Sequence, residues 1–205
     1  MELEKELRSI VGPDHVFSNP EYIKPYCRDQ SFVPPGQPDI IAAPHTPEQV
    51  QAVLRLANRT RMPVTPFSSG LNLHGAAVPA YKGIILDLRR MNRIIQINEK
   101  ELYAVIEPGV TYRQLQDELE GKGLRVMAPF GVPAGRSVLT SYIERDIVLA
   151  ATHLELGNYL IHDTELVLPC GDLFRTGCWN LGGRPGGLYG PGLNNLFKLW
   201  TGAQG

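Results

Sequence analysis

Apolar residues recur at helical spacing in three segments of the chain, and helix start or stop signals bound each segment. The predicted helices cover residues 2–11, residues 47–60 and a stretch that begins after Thr111. Thr46 and Thr111 suit the N-cap position, and each is followed three residues later by a glutamine, as in a capping box. The apolar faces of these helices carry Leu3, Leu7 and Ile10; Val50, Val53, Leu54 and Ala57; and Leu115 and Leu119.

Short runs rich in β-branched and apolar residues predict strands between these helices. The runs cover residues 39–43, 62–66, 83–88, 92–98, 102–106 and 162–168, with a further run from Leu173. The first two flank the second helix and predict a β-α-β unit with a right-handed crossover. Asn98-Glu-Lys-Glu predicts a hairpin turn. A short helix is expected over residues 137–144, and irregular structure over residues 19–38.

This order of elements predicts an α+β fold with two lobes. A small β-α-β lobe covers residues 1–88, and a mostly antiparallel sheet lobe with flanking helices covers residues 89–205. The chain has 205 residues, of which 43% are hydrophobic and 20% charged, as in an ordinary globular protein. A chain of this length buries one good core, or two small subdomains that share one.

Charge and cysteine content exclude several functional classes. The net charge is −1 with no basic block, which gives little support to binding of nucleic acid through phosphates. No apolar run reaches the roughly 20 residues of a membrane-spanning helix. The N-terminal residues are charged and lack the apolar core of a secretory signal, so a cytoplasmic location is expected. Three cysteines and scattered histidines predict neither a closed disulfide framework nor a metal site.

The segment over residues 63–79 carries the most specific chemical signal. Two prolines with apolar neighbours lead into a run of short residues that includes Ser68, Ser69, Gly70 and Asn72. A turn built from such residues can present consecutive N–H groups as a concave nest for a phosphate. Glycine permits the left-handed conformations and the close approach to a ligand that such a nest needs. A Ser/Gly-rich loop after a strand is also compatible with plain connection.

Three motifs support the phosphate interpretation by their order. Residues 66–72 read P-x-S-x-G-x-N, residues 84–94 read I-x-L-D-L-x-x-M-N-x-I, and residues 107–111 read E-P-G-V-T before a helix. Together with the preceding strand, they resemble the FAD-binding (PCMH-type) domain of the vanillyl-alcohol oxidase and p-cresol methylhydroxylase flavoprotein family. The resemblance implies a two-lobed fold with FAD between the lobes.

The resemblance also implies a set of cofactor-binding residues. The phosphate loop would wrap the diphosphate of FAD through backbone N–H groups, the turn before the third helix would approach the cofactor, and two later segments would contact its dinucleotide and adenine portions. The implied residues are Pro66, Phe67, Ser68, Ser69, Gly70, Leu71, Asn72, Leu73, Pro108, Gly109, Pro129, Ser137, Val138, Thr140, Ser141 and Glu165. Phe130 could likewise lie near the cofactor or in the core.

Non-covalent binding of FAD is expected. Some related flavoproteins attach FAD to a histidine at the position of Leu71 here, whereas His74 stands three residues later. A thioether to Cys170 or Cys178 is not expected. Arg184 and Tyr189 lie in a glycine-rich stretch and could reach a substrate or stay in a solvated loop.

Two features bear on whether the chain is active alone. Leu139 and Thr140 stand where the family usually has two glycines, and Ser141 stands where it has asparagine. The last residues resemble the family's F-x-G-S-E-G, after which a closing strand and a substrate-binding cap domain are expected. The chain is therefore expected to be a fragment, or a subunit that a second chain completes, and no general base can be named in it.

The resemblance implies an FAD-dependent oxidoreductase that dehydrogenates a phenolic or alcohol substrate. The expected partners are that small-molecule substrate and, besides the second chain, an electron acceptor such as oxygen or a cytochrome. One alternative is the FAD domain of a 2-hydroxyacid (glycolate or lactate) dehydrogenase, although that branch usually carries R-G-G-G-T in the phosphate loop. The other alternative is a non-catalytic interaction subunit that has lost flavin binding.

Overall fold

The computed structural model describes residues 2–129, 131–144, 161–176 and 179. These residues form two compact units, and the chain passes from the first to the second between Met91 and Asn92. The segment Val167–Leu173 belongs to the first unit. Among the described residues, no helix combines the length and apolar character needed to cross a bilayer.

The first unit contains three α-helices: α1 (Glu2–Val11), α2 (Pro20–Ile23) and α3 (Pro47–Thr60). Helix α3 begins as its sequence predicts, because the Thr46 hydroxyl accepts a hydrogen bond from Gln49 N at 3.3 Å. The side chain of Gln49 reaches back and accepts from His45 N at 2.7 Å, one residue before the usual capping-box partner. The helix ends at Arg61, whose φ of 55° is left-handed.

A four-stranded sheet forms the centre of the first unit. Its strands are β1 (Val16–Phe17), β2 (Ile40–Ala42), β3 (Val64–Phe67) and β4 (Ile84–Asp87), in the spatial order β1-β2-β4-β3. Strand β1 is antiparallel to β2, whereas β2 and β3 are both parallel to β4. The two strands that flank helix α3 are therefore not neighbours, since β4 lies between them.

Successive residues along the central strands pack alternately into two hydrophobic cores, one on each face of the sheet. Ile40, Ala42, Ile84 and Leu86 pack with helices α1 and α3 in one cluster. The intervening Ile41 and Ile85 face the opposite side, where Ile23, Tyr26, Phe67 and Ala77 complete a second cluster. Both faces of the central strands are thus buried, as expected for parallel strands.

The second unit contains antiparallel strands and short helices. Strands β5 (Ile94–Asn98) and β6 (Tyr103–Ile106) form the predicted hairpin, and they are followed by helices α4 (Tyr112–Glu120) and α5 (Val138–Ile143). The core of this unit contains Val110, Tyr112, Leu115, Leu119 and Val138. The short strands β7 (Glu165–Val167) and β8 (Leu173–Arg175) form a separate two-stranded sheet.

Two local predictions were wrong, and one strand was missed. Residues 19–38 are not uniformly irregular, because Asn19 caps helix α2 and the 3₁₀-helix Lys24–Tyr26 follows. Strand β1 was not predicted, since two residues are too short to show alternation. In helix α3, Leu56 is buried where Leu54 was expected, and Leu54 is only partly buried. The expected loop over residues 177–194 lies, apart from residue 179, outside the described residues.

Candidate functional site

The candidate site in the first unit begins where two parallel strands end together. Strand β3 ends at Phe67 and strand β4 ends at Asp87, and the two residues are partners across the sheet. In open parallel sheets, ligands bind beyond the carboxyl ends of the strands. The predicted phosphate loop, residues 66–73, starts at this edge.

The main chain of the loop is arranged to receive an anion. Gly70 has a φ of 69° and Gly75 a φ of 83°, both in the left-handed region. Among the described residues, the N–H groups of Ser69, Gly70 and Leu71 donate to no carbonyl or side chain. A run of such N–H groups with a left-handed residue among them has the character of an anion-binding nest.

The side chain of Ser69 adds a second polar group to the loop. Its hydroxyl oxygen is shielded from solvent and has no hydrogen-bond partner within the described part of the chain. A buried hydroxyl without a partner is costly, so such groups in native proteins call for an explanation, such as a bound ligand. Ser68 and Asn72, the other predicted polar contacts, are buried beside it.

Neighbouring segments hold the loop on two sides. The N–H of Gln30 donates to the carbonyl of Asn72 at 3.0 Å, and the side chain of Val33 packs against Gly75. The phenyl ring of Phe67 lies directly under Gly70. Of the predicted loop residues, Pro66 and Leu73 are exposed, whereas Phe67 is buried.

A polar network surrounds the ring of Phe67. Tyr26 donates its hydroxyl proton to Asp87 Oδ2 at 2.7 Å, and the Arg89 guanidinium binds the same carboxylate through Nε and Nη2. Burial, reinforced by the Asp87 carboxylate, raises the pKa of the Tyr26 phenol well above that of a free tyrosine. In the sequence, Asp87 stands out only as one residue of the I-x-L-D-L motif, and nothing marks Tyr26 or Arg89 as part of the site. Their distance along the chain, 61 residues from Tyr26 to Asp87, leaves no local signal.

The second unit brings six predicted residues together, namely Pro108, Gly109, Ser137, Val138, Thr140 and Ser141. Ser137 Oγ donates to the carbonyl of Pro108 at 2.7 Å and accepts from Thr140 N at 3.2 Å as the N-cap of α5. Val138 N donates to the carbonyl of Val110, which places the turn at Gly109 beside the start of α5. The N–H groups of Val138, Thr140 and Ser141 are therefore already used within the chain.

Ion pairs stabilise the turn at Pro108 and Gly109 and the segment that contains helix α5. Glu107 is buried and accepts from Arg93 Nε at 2.9 Å, from its Nη2 at 2.6 Å and from its backbone N–H at 2.7 Å. Arg136 and Glu144 form an ion pair that is almost fully buried, with 3% and 4% of their side chains exposed. This pair spans helix α5 and was not predicted. Arg136 and Glu144 are charged residues eight positions apart, and the sequence does not show that both side chains are buried.

The remaining predicted positions make other contacts. Pro129 is buried in a loop of the second unit, and Glu165 pairs with Arg175 at 2.6 Å on the β7–β8 sheet. Phe130, Cys178, Arg184 and Tyr189 lie outside the described residues. In the described part of the chain, no cluster of three or more His, Cys, Asp or Glu side chains could hold a metal ion.

A strand-end loop whose N–H groups have no partners in the described part of the chain is typical of nucleotide-binding domains. Residues 38–177 match the FAD binding domain family, and the chain belongs to that family. The predicted fold and family are thereby confirmed, and FAD is the cofactor. The N–H groups of Ser69, Gly70 and Leu71 and the Ser69 hydroxyl, all without partners among the residues described, fit the diphosphate of FAD.

Relatives with known names support the same assignment. The chain is 31% identical over 207 residues to the 4-cresol dehydrogenase [hydroxylating] flavoprotein subunit of Pseudomonas putida, a match over 94% of this chain and 39% of that protein. It is 28% identical to the glycolate oxidase subunit GlcD of Bacillus subtilis, over 86% of this chain and 37% of that one.

A solved structure shares the fold closely. The 4-ethylphenol oxidase from Gulosibacter chungangensis, in its isoeugenol complex, superposes with a TM-score of 0.82 at 28% identity, over 96% of this chain and 39% of that one. The chain thus spans about two fifths of the length of the relatives that it matches.

Proposed function

We propose that this chain is the FAD-holding part of an oxidoreductase that dehydrogenates a phenolic or alcohol substrate. The observation that carries the proposal is the loop after strand β3. It presents the N–H groups of Ser69, Gly70 and Leu71 without partners among the described residues, together with the buried Ser69 hydroxyl. Bound FAD supplies the chemistry by accepting a hydride from a substrate carbon.

In this proposal the two units contribute differently to cofactor binding. The loop at residues 66–73 binds the diphosphate through main-chain donors, since the N–H groups of Ser69, Gly70 and Leu71 have no partner among the described residues. The N–H groups of Val138, Thr140 and Ser141 are used within the chain, so the segment Ser137–Ser141 contributes side-chain and carbonyl contacts instead. Pro108, Gly109, Pro129 and Glu165 complete the proposed contact set.

Binding of FAD is proposed to be non-covalent. The position expected to carry a flavin-linked histidine holds Leu71, and His74 is exposed on the far part of the loop. Cys27 is partly buried with its thiol directed to the Ile23 carbonyl, and Cys170 is exposed in a turn near Asp172. Flavin that leaves the protein completely on acid precipitation would support this part of the proposal, and flavin retained in the pellet would contradict it.

The phenolic substrate class rests on two relatives and on the loop sequence. The Pseudomonas putida protein is named for 4-cresol, and the superposed structure is a 4-ethylphenol oxidase. The match to a glycolate oxidase subunit keeps a 2-hydroxyacid as the second candidate. The Ser-Ser-Gly-Leu-Asn loop favours the phenolic branch.

Further protein is proposed to complete the enzyme. The matched relatives are more than twice as long as the aligned part, and two of them are named as subunits. A cap domain, from the same or a second chain, and an electron acceptor such as a cytochrome are the proposed partners.

Two measurements test the proposal in sequence. Titration of the 205-residue chain with FAD should give a saturable visible flavin spectrum, and a colourless protein that stays colourless would favour the non-catalytic alternative. The substrate is then tested anaerobically on the FAD-loaded chain together with the protein that completes it. Bleaching of the flavin by 4-alkylphenols, with no response to 2-hydroxyacids, is expected, and the reverse would establish the second candidate.

A further inference from the structure

The conformation of the phosphate loop depends on a ring packed beneath it. The Cζ atom of Phe67 lies 2.5 Å from the point where a Cβ on Gly70 would stand. The ring therefore occupies the volume directly under the left-handed turn of the loop. Phe67 itself is 5% exposed, and it is the last residue of strand β3.

Two side chains hold this ring in place. The Tyr26 ring contacts Phe67 with centroids 4.6 Å apart and an interplanar angle of 50°. The guanidinium carbon of Arg89 lies 5.3 Å from the Phe67 centroid and 5.1 Å from that of Tyr26, which is the geometry of a cation–π contact. Neither Tyr26 nor Arg89 touches the loop through a hydrogen bond among those that the described residues make.

A single buried carboxylate fixes both of these side chains. Asp87 is 5% exposed and accepts from the Tyr26 hydroxyl at 2.7 Å and from Arg89 Nε and Nη2 at 3.0 and 2.8 Å. It also accepts from the Arg89 backbone N–H at 3.0 Å. Arg89 Nη2 and the Tyr26 hydroxyl are hydrogen-bonded to each other as well. Because Asp87 is the sheet partner of Phe67, the contacts form a closed ring of residues.

We propose that Tyr26, Asp87 and Arg89 are positioning residues for the FAD diphosphate. They lock the Phe67 ring under Gly70 and so keep the N–H groups of the loop convergent. The inference rests on the proposed function of the loop. Since the positive charge of Arg89 faces the buried carboxylate of Asp87, Arg89 acts through geometry and not as the counter-charge of the phosphates.

The first test removes the Tyr26 hydroxyl, which is hydrogen-bonded to both Asp87 and Arg89, and retains both rings. Tyr26→Phe should raise the Kd for FAD about fivefold, because the Phe67 ring loses part of its support. Phe67→Leu should weaken binding further, and the double variant should be no weaker than Phe67→Leu alone, because Tyr26 acts through the ring. Ile85→Val, in the same apolar cluster, is the matched control and should lower only the melting temperature. Additive effects of Tyr26→Phe and Phe67→Leu would overturn the inference.

The second test separates geometry from charge. Arg89→Lys keeps the charge but loses the planar fork that holds Asp87, so it should weaken FAD binding as much as Arg89→Gln does. Wild-type affinity in Arg89→Lys, with loss only in Arg89→Gln, would identify a direct counter-charge and overturn the positioning role.

A third measurement needs no cofactor. The aromatic ring beneath Gly70 should shift the amide resonance of Gly70 by its ring current in the FAD-free protein. Tyr26→Phe should move this resonance, and Ile85→Val should not. If Tyr26→Phe changes neither the Gly70 amide resonance nor the Kd for FAD, the positioning role is wrong while the proposed function still stands. Failure of the wild-type chain to bind FAD would overturn the proposed function, and with it the role of the network in cofactor binding.

Discussion

The phenyl ring of Phe67 occupies the space into which any side chain at Gly70 would grow, with Cζ 2.5 Å from the position of a Cβ. Gly70 also has a φ of 69°, which L-residues adopt at a cost. The large ring of Phe67, at the end of strand β3, thus fits against Gly70 in the loop because Gly70 has no side chain. The binding loop has no room for a methyl group at this position.

Gly70→Ala should therefore damage FAD binding more than backbone strain alone explains. The left-handed conformation costs about 1 kcal/mol for alanine, and the contact with Phe67 forces the loop to move in addition. We expect at least a tenfold rise in the Kd for FAD, measured by flavin fluorescence titration. Gly123→Ala is the matched control, since Gly123 has a φ of 67° with nothing within 4 Å of a Cβ. It should lower stability by about the strain alone. Equal FAD affinities in the two variants would contradict the packing argument.

Ser69→Ala should affect stability and affinity in opposite directions. The hydroxyl is buried without a partner among the described residues, so its removal should leave the cofactor-free chain equally stable, or stabilise it by up to about 1 kcal/mol. Affinity for FAD should fall about five- to tenfold, because one hydrogen bond to the diphosphate is lost. Thermal melts with and without FAD measure both effects. Ser9→Ala, on the exposed face of α1, should change neither quantity; an unaltered affinity in Ser69→Ala would remove Ser69 from the contact set.

The buried pair Arg136–Glu144 should be much more sensitive to the loss of one partner than to the loss of both. Glu144→Ala leaves the buried Arg136 charge facing a cavity, and we expect a loss of about 3–5 kcal/mol in the free energy of unfolding. Replacement of both residues by apolar side chains of similar size, Arg136→Met with Glu144→Leu, should recover most of this loss. Urea denaturation measures both variants. If the double variant is as unstable as Glu144→Ala, the pair stabilises helix α5 by more than the neutralisation of its two buried charges.

Stability should fall steeply in the alkaline range. Burial raises the pKa values of the Tyr26 and Tyr142 phenols, with smaller contributions from Asp87 and Tyr112 respectively. Above the ordinary tyrosine pKa of about 10, the unfolded chain releases these protons while the folded chain retains them, so unfolding becomes more favourable as pH rises. Each phenol contributes a slope of up to about 1.4 kcal/mol per pH unit. Urea midpoints measured across this range should decline less steeply in Tyr26→Phe and in Tyr142→Phe. Wild-type slopes in both variants would contradict the argument.

Local signals in the sequence were sufficient for the helices and for the loop. Thr46, Pro47 and Gln49 define the start of helix α3, and Thr111 with Gln114 defines that of α4. These signals are reliable because capping satisfies backbone groups within a few residues. The short helix α2 begins with the same kind of signal, an N-cap at Asn19 followed by Pro20. This signal was missed because the surrounding segment is rich in proline and tyrosine.

Contacts between distant segments could not be predicted in the same way. The insertion of β4 between β2 and β3 depends on pairing energies across the sheet, and adjacency along the chain suggests the opposite order. The buried carboxylates of Asp87 and Glu144 resemble surface residues until their arginine partners are placed. The loop conformation was predictable from its short side chains and Gly70, whereas its contact with FAD stays a prediction. The residue that supports the loop could have been any apolar residue of suitable size.

The position of strand β4 has a consequence for synthesis on the ribosome. Strand β3 is an edge strand of its sheet. Its strand neighbour among the described residues is β4, which is synthesised about twenty residues later. The network that supports Phe67 likewise requires Asp87 and Arg89. A nascent chain that has emerged only as far as the loop therefore has the sequence of the proposed phosphate loop but no neighbouring strand to shape it. We therefore expect the proposed loop to capture flavin only after the I-x-L-D-L segment has left the exit tunnel.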